Sequence, residues 1–133
     1  MADRAKGKGP LAGVCVIDLT TMIFGPYCTQ IMADMGADVI KIEAPAGDNV
    51  RYVSVGPAPG MASVFINVNR GKRSVVLDLQ TDEGKAALRG LIAKADVFIH
   101  SMRLKAITKL GFSYADVAAV NPKIVYTNCY GYS

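Results

Sequence analysis

The sequence has 133 residues, of which 51% are hydrophobic and 20% are charged, and its formal net charge is +4. This composition excludes a disordered chain, and no apolar run reaches the roughly 20 residues of a membrane-spanning helix, so we expect no membrane partner. The cations are too scattered for a nucleic-acid-binding stripe, and the three cysteines form no metal-binding motif. Sparse cysteines indicate reduced thiols and a cytoplasmic protein.

Residues 1–10 are basic and lack the apolar stretch of a signal peptide, so they are predicted to form a flexible tail. The remainder, 11–133, is predicted to be one incomplete domain. Strands are predicted from short runs of β-branched and apolar residues at 14–19, 37–43, 74–79, 96–99 and 123–128. Segment 44–62 is a loop or an ordered excursion, and 63–68 is either a strand or a helix.

Helices are predicted between most of these strands. The first begins at Pro26 and ends at Gly36, with apolar residues recurring at three- and four-residue intervals: Cys28, Ile31, Met32 and Met35. The next is capped by Thr81 and has a predicted buried stripe of Ala87, Leu88, Leu91 and Ile92. Two short helices follow, one over 103–110 ending at Gly111, and one opened by a capping box of Ser113 and Asp116 and running to Val120.

Strand and helix alternate four times along the chain. This pattern predicts an α/β fold with a Rossmann-like, mostly parallel sheet and helices on both faces. The chain leaves its last strand and stops in a loop, where a further site loop is expected. We therefore expect a truncated fold, which is a fragment of a longer protein.

The loop after the first predicted strand, residues 20–26, holds one glycine and the bulky residues Met22, Ile23 and Phe24. A dinucleotide-binding fold places GxGxxG there, which lets a pyrophosphate approach the backbone. The bulky side chains block that approach. The loop lies either against a ligand, which would be an adenine or an acyl chain, or in the protein core. It also argues against Glu43 as a ribose ligand, so we expect Glu43 to end its strand and pair with a nearby base.

The turn 69–73, NRGKR, is the strongest ligand candidate in the sequence. Its three cations, Arg70, Lys72 and Arg73, either bind phosphates or form a solvated turn. Arg51 is a weaker case of the same kind. His100 follows the fourth predicted strand without an identified partner, so a structural or cofactor-contacting role is favoured over catalysis. Asp18 is expected to cap the turn after its strand.

Several segments together resemble the N-terminal part of the class III CoA-transferases, a family of formyl-CoA and carnitine CoA-transferases that includes the α-methylacyl-CoA racemases. They are LAGVCVIDLT, GPYCTQIMADMGADVIKIEAPAGD, NRGKRSVVLDL, ADVFIHSMR with LGF, and NPKIVYTNCYGYS. The resemblance covers about residues 11–133. It implies a domain that binds the adenine and phosphates of coenzyme A (CoA) or an acyl-CoA, in an interlocked homodimer.

The resemblance also implies roles for individual residues. The positions that match CoA-contacting residues of the family are Met22, Ile23, Phe24, Lys72, Arg73, Ser101, Met102, Arg103 and Lys109. The last part of this set departs from the family, because its NFRPG stretch reads SMRLK here, and Ala44 replaces an arginine of some relatives.

Transferases of this family pass CoA between carboxylic acids through an aspartyl-CoA thioester, and the racemases exchange an α-proton. The family's catalytic aspartate lies beyond the loop that starts at Gly131, so the resemblance implies no catalytic residue in this chain and no activity of the fragment alone. The alternatives are a racemase-type enzyme and a non-catalytic Rossmann-type nucleotide-binding module.

Overall fold

A computed structural model describes residues 8–131, which form a parallel β-sheet between two layers of helices. The strands are β1 Cys15–Leu19, β2 Asp38–Glu43, β3 Arg73–Val76, β4 Val97–His100 and β5 Val125–Asn128. The helices are α1 Phe24–Asp34, α2 Ser63–Asn69, α3 Asp82–Ile92, α4 Leu104–Leu110 and α5 Tyr114–Val120, with a 3-10 helix at Asn49–Tyr52. The predicted α/β fold with a parallel sheet is confirmed.

The strand order is β3-β2-β1-β4-β5, and every neighbouring pair is parallel. The chain moves outward from β1 to β3 and then returns to the other side of β1 with β4. The direction of winding therefore reverses between β1 and β4. In open α/β sheets, ligands bind outside the carboxyl ends of the strands at such a reversal.

Alternating residues of the strands pack into two separate hydrophobic cores on opposite faces of the sheet. Cys15, Ile17 and Leu19 face the larger core, which α3, α4 and α5 complete with Leu88, Ile92, Ile107 and Val117. Val16, Val39 and Ile99 face a smaller core, where Met32 and Ala33 of α1 pack. A sheet buried on both faces explains why its strands read as continuous apolar runs.

Helix α1 differs from its prediction in two respects. It begins at Phe24, so Pro26 is its third residue and not its first, and its buried residues are Gly25, Pro26, Thr29 and Gln30. The apolar residues whose spacing predicted the helix, Cys28, Ile31 and Met35, lie instead on its exposed side. Thr29 is buried because the Asp18 carboxylate beneath it accepts a hydrogen bond from its hydroxyl, and Gln30 donates to Asp34 one turn further along the helix.

Other local predictions meet the structure more closely. Thr81 caps α3 through Gly84 N, both bonds of the Ser113–Asp116 capping box are present, and Gly111 ends α4 with a φ of 82°. In α3, Leu88 and Ile92 are buried, whereas Ala87 is exposed, contrary to its predicted place in the stripe. Segment 63–68, left open by its sequence, is helical.

The end of the predicted tail packs against the turn after α1. A Cβ on Gly9 would lie 2.4 Å from the carbonyl oxygen of Met35, and the amide of Leu11 donates to the same oxygen at 3.0 Å. Residues 1–7 of the predicted tail lie outside the described residues. Within residues 8–131, no helix is both long and apolar enough to cross a membrane.

Candidate functional site

The loops that follow β1 and β4 meet at the carboxyl edge of the sheet, where the winding reverses. The backbone amide of Thr21 donates to Ser101 Oγ at 3.0 Å, and the two hydroxyl oxygens lie 3.4 Å apart. This contact joins the two loops across the β1–β4 boundary. It also separates two clefts that open on either side of Thr21.

The first, which we call the switch-point cleft, has a volume of about 460 Å³. It is lined by Thr21, Met22, Phe24, Gly25, Ser101, Cys129, Tyr130 and Gly131. Three predicted ligand contacts, Met22, Phe24 and Ser101, therefore converge in it. Ile23 is 52% exposed beside them but lines neither cleft.

The second, the apolar cleft, has a volume of about 500 Å³ and lies at the carboxyl ends of β1, β2 and β3. Its lining comprises Leu19, Thr21, Ile42, Glu43, Ala44, Pro45, Ala46, Leu77, Asp78, Leu79, Gln80, Met102 and Leu110. The predicted contact Met102 lies here. Both clefts have the size and the mostly apolar walls that are typical of small-molecule sites.

The loop between β1 and α1 is strained at the cleft. Met22 has a φ of 69°, the one positive φ among non-glycine residues of the described chain. Such a conformation costs of order 1–3 kcal/mol and persists only where surrounding contacts hold it. The loop therefore needs supports, and these lie directly beneath it.

Asp18, fully buried near the end of β1, is the first support. Its Oδ1 accepts hydrogen bonds from the amide and the hydroxyl of Thr20, at 2.8 and 2.5 Å. Its Oδ2 accepts from the Thr29 hydroxyl of α1 at 2.5 Å and from Lys72 Nζ at 3.0 Å. The expected turn-capping role of Asp18 is confirmed, and the carboxylate also binds α1 and the turn 69–73.

Lys72, a predicted phosphate ligand, is committed to this network. Its ammonium donates to Asp18, to the Pro26 carbonyl oxygen at 2.9 Å and to Asn69 Oδ1 at 2.8 Å, which occupies all three of its protons. The side chain is 2% exposed, and burial lowers the pKa of Lys72 against the opposing effect of Asp18. The structure thus places this cation under the loop and away from the clefts.

The other cations of the turn are also paired with carboxylates. Arg73 donates to both oxygens of Asp38, at 2.9 and 2.6 Å, at the amino ends of β3 and β2. Arg70 binds Asp34 at the end of α1 at 2.6 Å. The structure does not bring Arg73 to the carboxyl edge that carries the clefts.

A second buried cation, Lys41, was missed by the sequence analysis. Its ammonium donates to the Thr20 carbonyl oxygen at 2.9 Å and to Asp48 Oδ2 at 2.8 Å, and both side chains of the pair are 1% exposed. The available signal was the alternation of β2, which puts Lys41 on the same inward face as Val39. Lys41 supports the strained loop from β2 as Lys72 does from the turn.

Glu43 is the last residue of β2, and its carboxylate accepts hydrogen bonds from four donor groups. Arg51 binds both carboxylate oxygens, at 2.7 and 2.6 Å, and the Ser74 hydroxyl and the Asp48 amide donate at 2.7 and 3.0 Å. Burial raises the pKa of Glu43, but these hydrogen bonds outweigh it and hold the pKa at about 2. The expected pairing of Glu43 with a nearby base is confirmed, and its oxygens are already occupied by these donors.

The remaining predicted residues lie around the loop after β4. Arg103 directly precedes α4, and Lys109 lies in its last turn, with both side chains exposed. His100 is buried, with Tyr126 Oη 2.9 Å from its Nε2. Within residues 8–131, no group of three histidine, cysteine or acidic residues is arranged to hold a metal ion.

A family model described as CoA-transferase family III matches residues 11–133. The chain is 41% identical over 128 residues to succinyl-CoA:mesaconate CoA-transferase of Haloarcula hispanica, covering 93% of this chain and 32% of that protein. It is 42% identical over 130 residues to acetyl-CoA:oxalate CoA-transferase of Acetobacter aceti, covering 96% and 33%. The chain thus spans about a third of the length of these curated relatives.

A solved structure agrees with the sequence comparisons. The crystal structure of a CAIB/BAIF family protein from Brucella suis superposes with a TM-score of 0.84 at 40% identity, over 90% of this chain and 33% of that one. The predicted Rossmann-like fold is therefore shared with that family.

Proposed function

The chain belongs to CoA-transferase family III, and on that premise we propose that residues 8–131 form part of the coenzyme A site of an enzyme that transfers CoA between carboxylic acids. The observation that carries this proposal is the meeting of Met22, Phe24 and Ser101 at the reversal of the strand order. A CoA or acyl-CoA molecule has an adenine ring and a long pantetheine arm, and apolar clefts on both sides of Thr21 offer surface to each.

The phosphates of CoA need cations that are still free to bind them. Arg103 is exposed and directly follows Met102 of the apolar cleft, so we propose it as the first phosphate ligand. Lys109 lies six residues further along, which is about 9 Å along the axis of a helix, so it reaches a different phosphate group. Lys72 and Arg73, the other phosphate ligands that the resemblance implies, rank below these two, because both are held by carboxylates and lie away from the clefts.

The chemistry requires a nucleophilic carboxylate. In the proposed reaction an aspartate oxygen attacks the thioester carbon and displaces CoA thiolate, which then attacks the resulting anhydride to give an aspartyl-CoA thioester and the free acid. Asp18, Glu43 and Asp48 are buried and bound by cations or backbone amides. Asp78 of the apolar cleft caps its own turn, since its Oδ1 accepts from the Gln80 amide at 2.9 Å. We therefore propose, as the family resemblance implies, that the nucleophile lies outside residues 8–131 and that the 133-residue chain alone is inactive.

CoA binding by the purified chain tests the cofactor assignment. CoA at a hundredfold excess over its Kd should raise the free energy of unfolding by about 2.7 kcal/mol, seen as a higher melting temperature. Phe24→Ala should weaken binding about tenfold, whereas Tyr27→Ala is the matched control, because it is exposed on the same helix and lines neither cleft. Stabilisation by NAD or ATP without CoA would favour the non-catalytic nucleotide-binding module.

Activity assays test the remaining parts of the proposal. Mixed with acetyl-CoA and oxalate, or succinyl-CoA and mesaconate, the 133-residue chain should form no new thioester, and measurable transfer would contradict its inactivity. The racemase alternative is tested on the longer gene product, by deuterium uptake at the α-carbon of a 2-methylacyl-CoA in heavy water. Transfer without such uptake favours the transferase.

The proposed full-length enzyme is a cytoplasmic homodimer. Exposed apolar side chains on the outer side of α1 and at its C-cap support a protein contact there: Tyr27, Ile31 and Met35. Sedimentation of the full-length enzyme should give twice the monomer mass, and a monomer at micromolar concentration would contradict the dimer.

A further inference from the structure

His100 is the single histidine of the sequence, and it is 0% exposed at the end of β4. Its Nε2 lies 2.9 Å from Tyr126 Oη, which in turn lies 2.9 Å from the Phe112 carbonyl oxygen. A carbonyl oxygen only accepts, so the tyrosine proton points to Phe112. The tyrosine oxygen therefore accepts a hydrogen bond from Nε2–H.

The other ring nitrogen is bound from the opposite side. The backbone amide of Met102 donates to His100 Nδ1 at 3.2 Å. Nδ1 must carry a lone pair to accept this bond, and a neutral imidazole with its proton on Nε2 has one there. The bonds at the two nitrogens thus independently select the same neutral tautomer.

The Met102 amide belongs to the segment that separates the two clefts. Ser101 lines the switch-point cleft and accepts from the Thr21 amide, and Met102 lines the apolar cleft. The bond to His100 therefore fixes the backbone between two residues of the proposed ligand site. Tyr126, held by Phe112 of the α4–α5 connection, fixes the ring itself.

We infer that His100 is a positioning residue whose neutral ring holds segment 101–103 in its ligand-binding conformation, and that protonation of the ring releases this segment and weakens CoA binding. The inference rests on the proposed function. A proton taken from water by Nδ1 converts the only acceptor of that contact into a donor. Two N–H groups then face each other, and the Met102 bond is lost.

The neighbours of the ring supply little compensation for a positive charge. Phe98 and Tyr126 lie at centroid distances of 6.0 and 5.3 Å, and Tyr130 lies at 6.4 Å. Burial lowers the pKa of His100, and a hydrogen bond with Asn128 opposes this effect. The Met102 amide can donate only to the neutral ring, so its bond favours the unprotonated form. Asp116 of α5 raises the pKa of Tyr126, and the ring of Tyr114 packs on the ring of Tyr126. Neither Asp116 nor Tyr114 is among the groups that shift the pKa of His100.

Two variants separate the nitrogens. His100→Asn keeps a short acceptor near the Nδ1 position and cannot titrate, whereas His100→Gln reaches toward Tyr126 and removes that acceptor. Loss of one hydrogen bond corresponds to about a fivefold effect. The wild-type Kd for CoA should rise at least about fivefold between pH 7.5 and 5, the Asn variant should show no such rise, and the Gln variant should bind about fivefold more weakly at pH 7.5.

Nuclear magnetic resonance reads the tautomer without any ligand. With one histidine in the chain, the ring nitrogen signals need no assignment, and they should show Nε2–H and unprotonated Nδ1 at pH 7.5. The Met102 amide signal should move with the ring as the pH falls below the ordinary value of about 6.5. A proton on Nδ1 at pH 7.5, or the wild-type pH dependence of CoA binding retained in His100→Asn, would overturn the inference.

Failure of the proposed function gives a different result. A chain that binds no CoA at any pH refutes both the cofactor assignment and the binding part of this inference. The Met102 signal still reports on positioning in that case. If it does not respond to protonation of the ring, the positioning role is refuted as well.

Discussion

Arg51 grips the Glu43 carboxylate through two parallel hydrogen bonds, from Nε at 2.7 Å and from Nη2 at 2.6 Å. The same guanidinium stacks over the ring of Phe65 at 3.8 Å and donates to the Gly60 carbonyl oxygen. One side chain thereby ties the excursion between β2 and α2 to the end of β2. We call this bidentate Arg51–Glu43 pair the clamp.

Replacing Arg51 with methionine should destabilise the protein by about 2 kcal/mol, because it leaves the 2%-exposed Glu43 carboxylate without its cation. The matched control is Arg73→Met, which removes an equally bidentate pair with Asp38 whose arginine is 64% exposed. The Arg73→Met variant should lose less than about 1 kcal/mol of the free energy of unfolding. Urea unfolding at pH 7 measures both, and equal losses would show that burial does not govern the clamp.

Glu43 should make stability depend on pH in the acid range. Its pKa is about 2 in the folded protein and 4.5 in its ordinary state, so the unfolded chain binds the proton more tightly. The stabilisation, about 3 kcal/mol, is fully present above pH 4.5 and is lost as the pH falls toward 2. Urea midpoints between pH 7 and 2.5 should fall less steeply below pH 4.5 for Glu43→Gln than for the wild type.

Lys72→Met should destabilise the protein by about 3 to 5 kcal/mol, because it leaves the buried Asp18 carboxylate unpaired. Arg70→Met is the control, since its ion pair with Asp34 is mostly exposed, and it should cost less than about 1 kcal/mol. Unfolding is measured without ligand, so a lost phosphate contact cannot enter the result. A stable Lys72→Met protein would contradict the supporting role of this cation.

Gly25→Ala should destabilise the protein by about 1 to 3 kcal/mol, because the new Cβ would lie 2.5 Å from the Thr20 side chain. Gly90→Ala in α3 provides a control of opposite sign. A Cβ there meets no atom within 4 Å, and alanine is the better helix former by up to about 1 kcal/mol. Thermal unfolding of the two variants should therefore give melting temperatures on opposite sides of the wild type.

The sequence predicts the sheet well because apolar β-branched runs and turn residues carry local signals. Thr81, Ser113 and Gly111 act within one helical turn, and a reader of the sequence can locate them without knowing the fold. Segment 63–68 lacks such a signal, since SVFINV suits a strand as well as a helix. Its helix is fixed by its packing on α1, which no local pattern reveals.

The candidate site was predictable only in part. The bulky loop and the segment after β4 mark the clefts, because the carboxyl ends of parallel strands meet at one edge. The sequence does not predict that Lys72 binds a buried carboxylate, since its partner Asp18 lies 54 residues away. Charge pairs between distant segments follow from the folded arrangement, and a basic turn reads the same whether its cations face solvent or a buried carboxylate.

The position of β1 in the middle of the sheet has a consequence for synthesis on the ribosome. This strand emerges early and can pair with β2 as soon as α1 has formed, but its other edge stays open until β4 has been translated. The nascent chain therefore carries an unpaired apolar edge of β1 until β4 has been made. Chaperones that shield such edges should engage it before Val97–His100 leaves the exit tunnel, and release it afterwards.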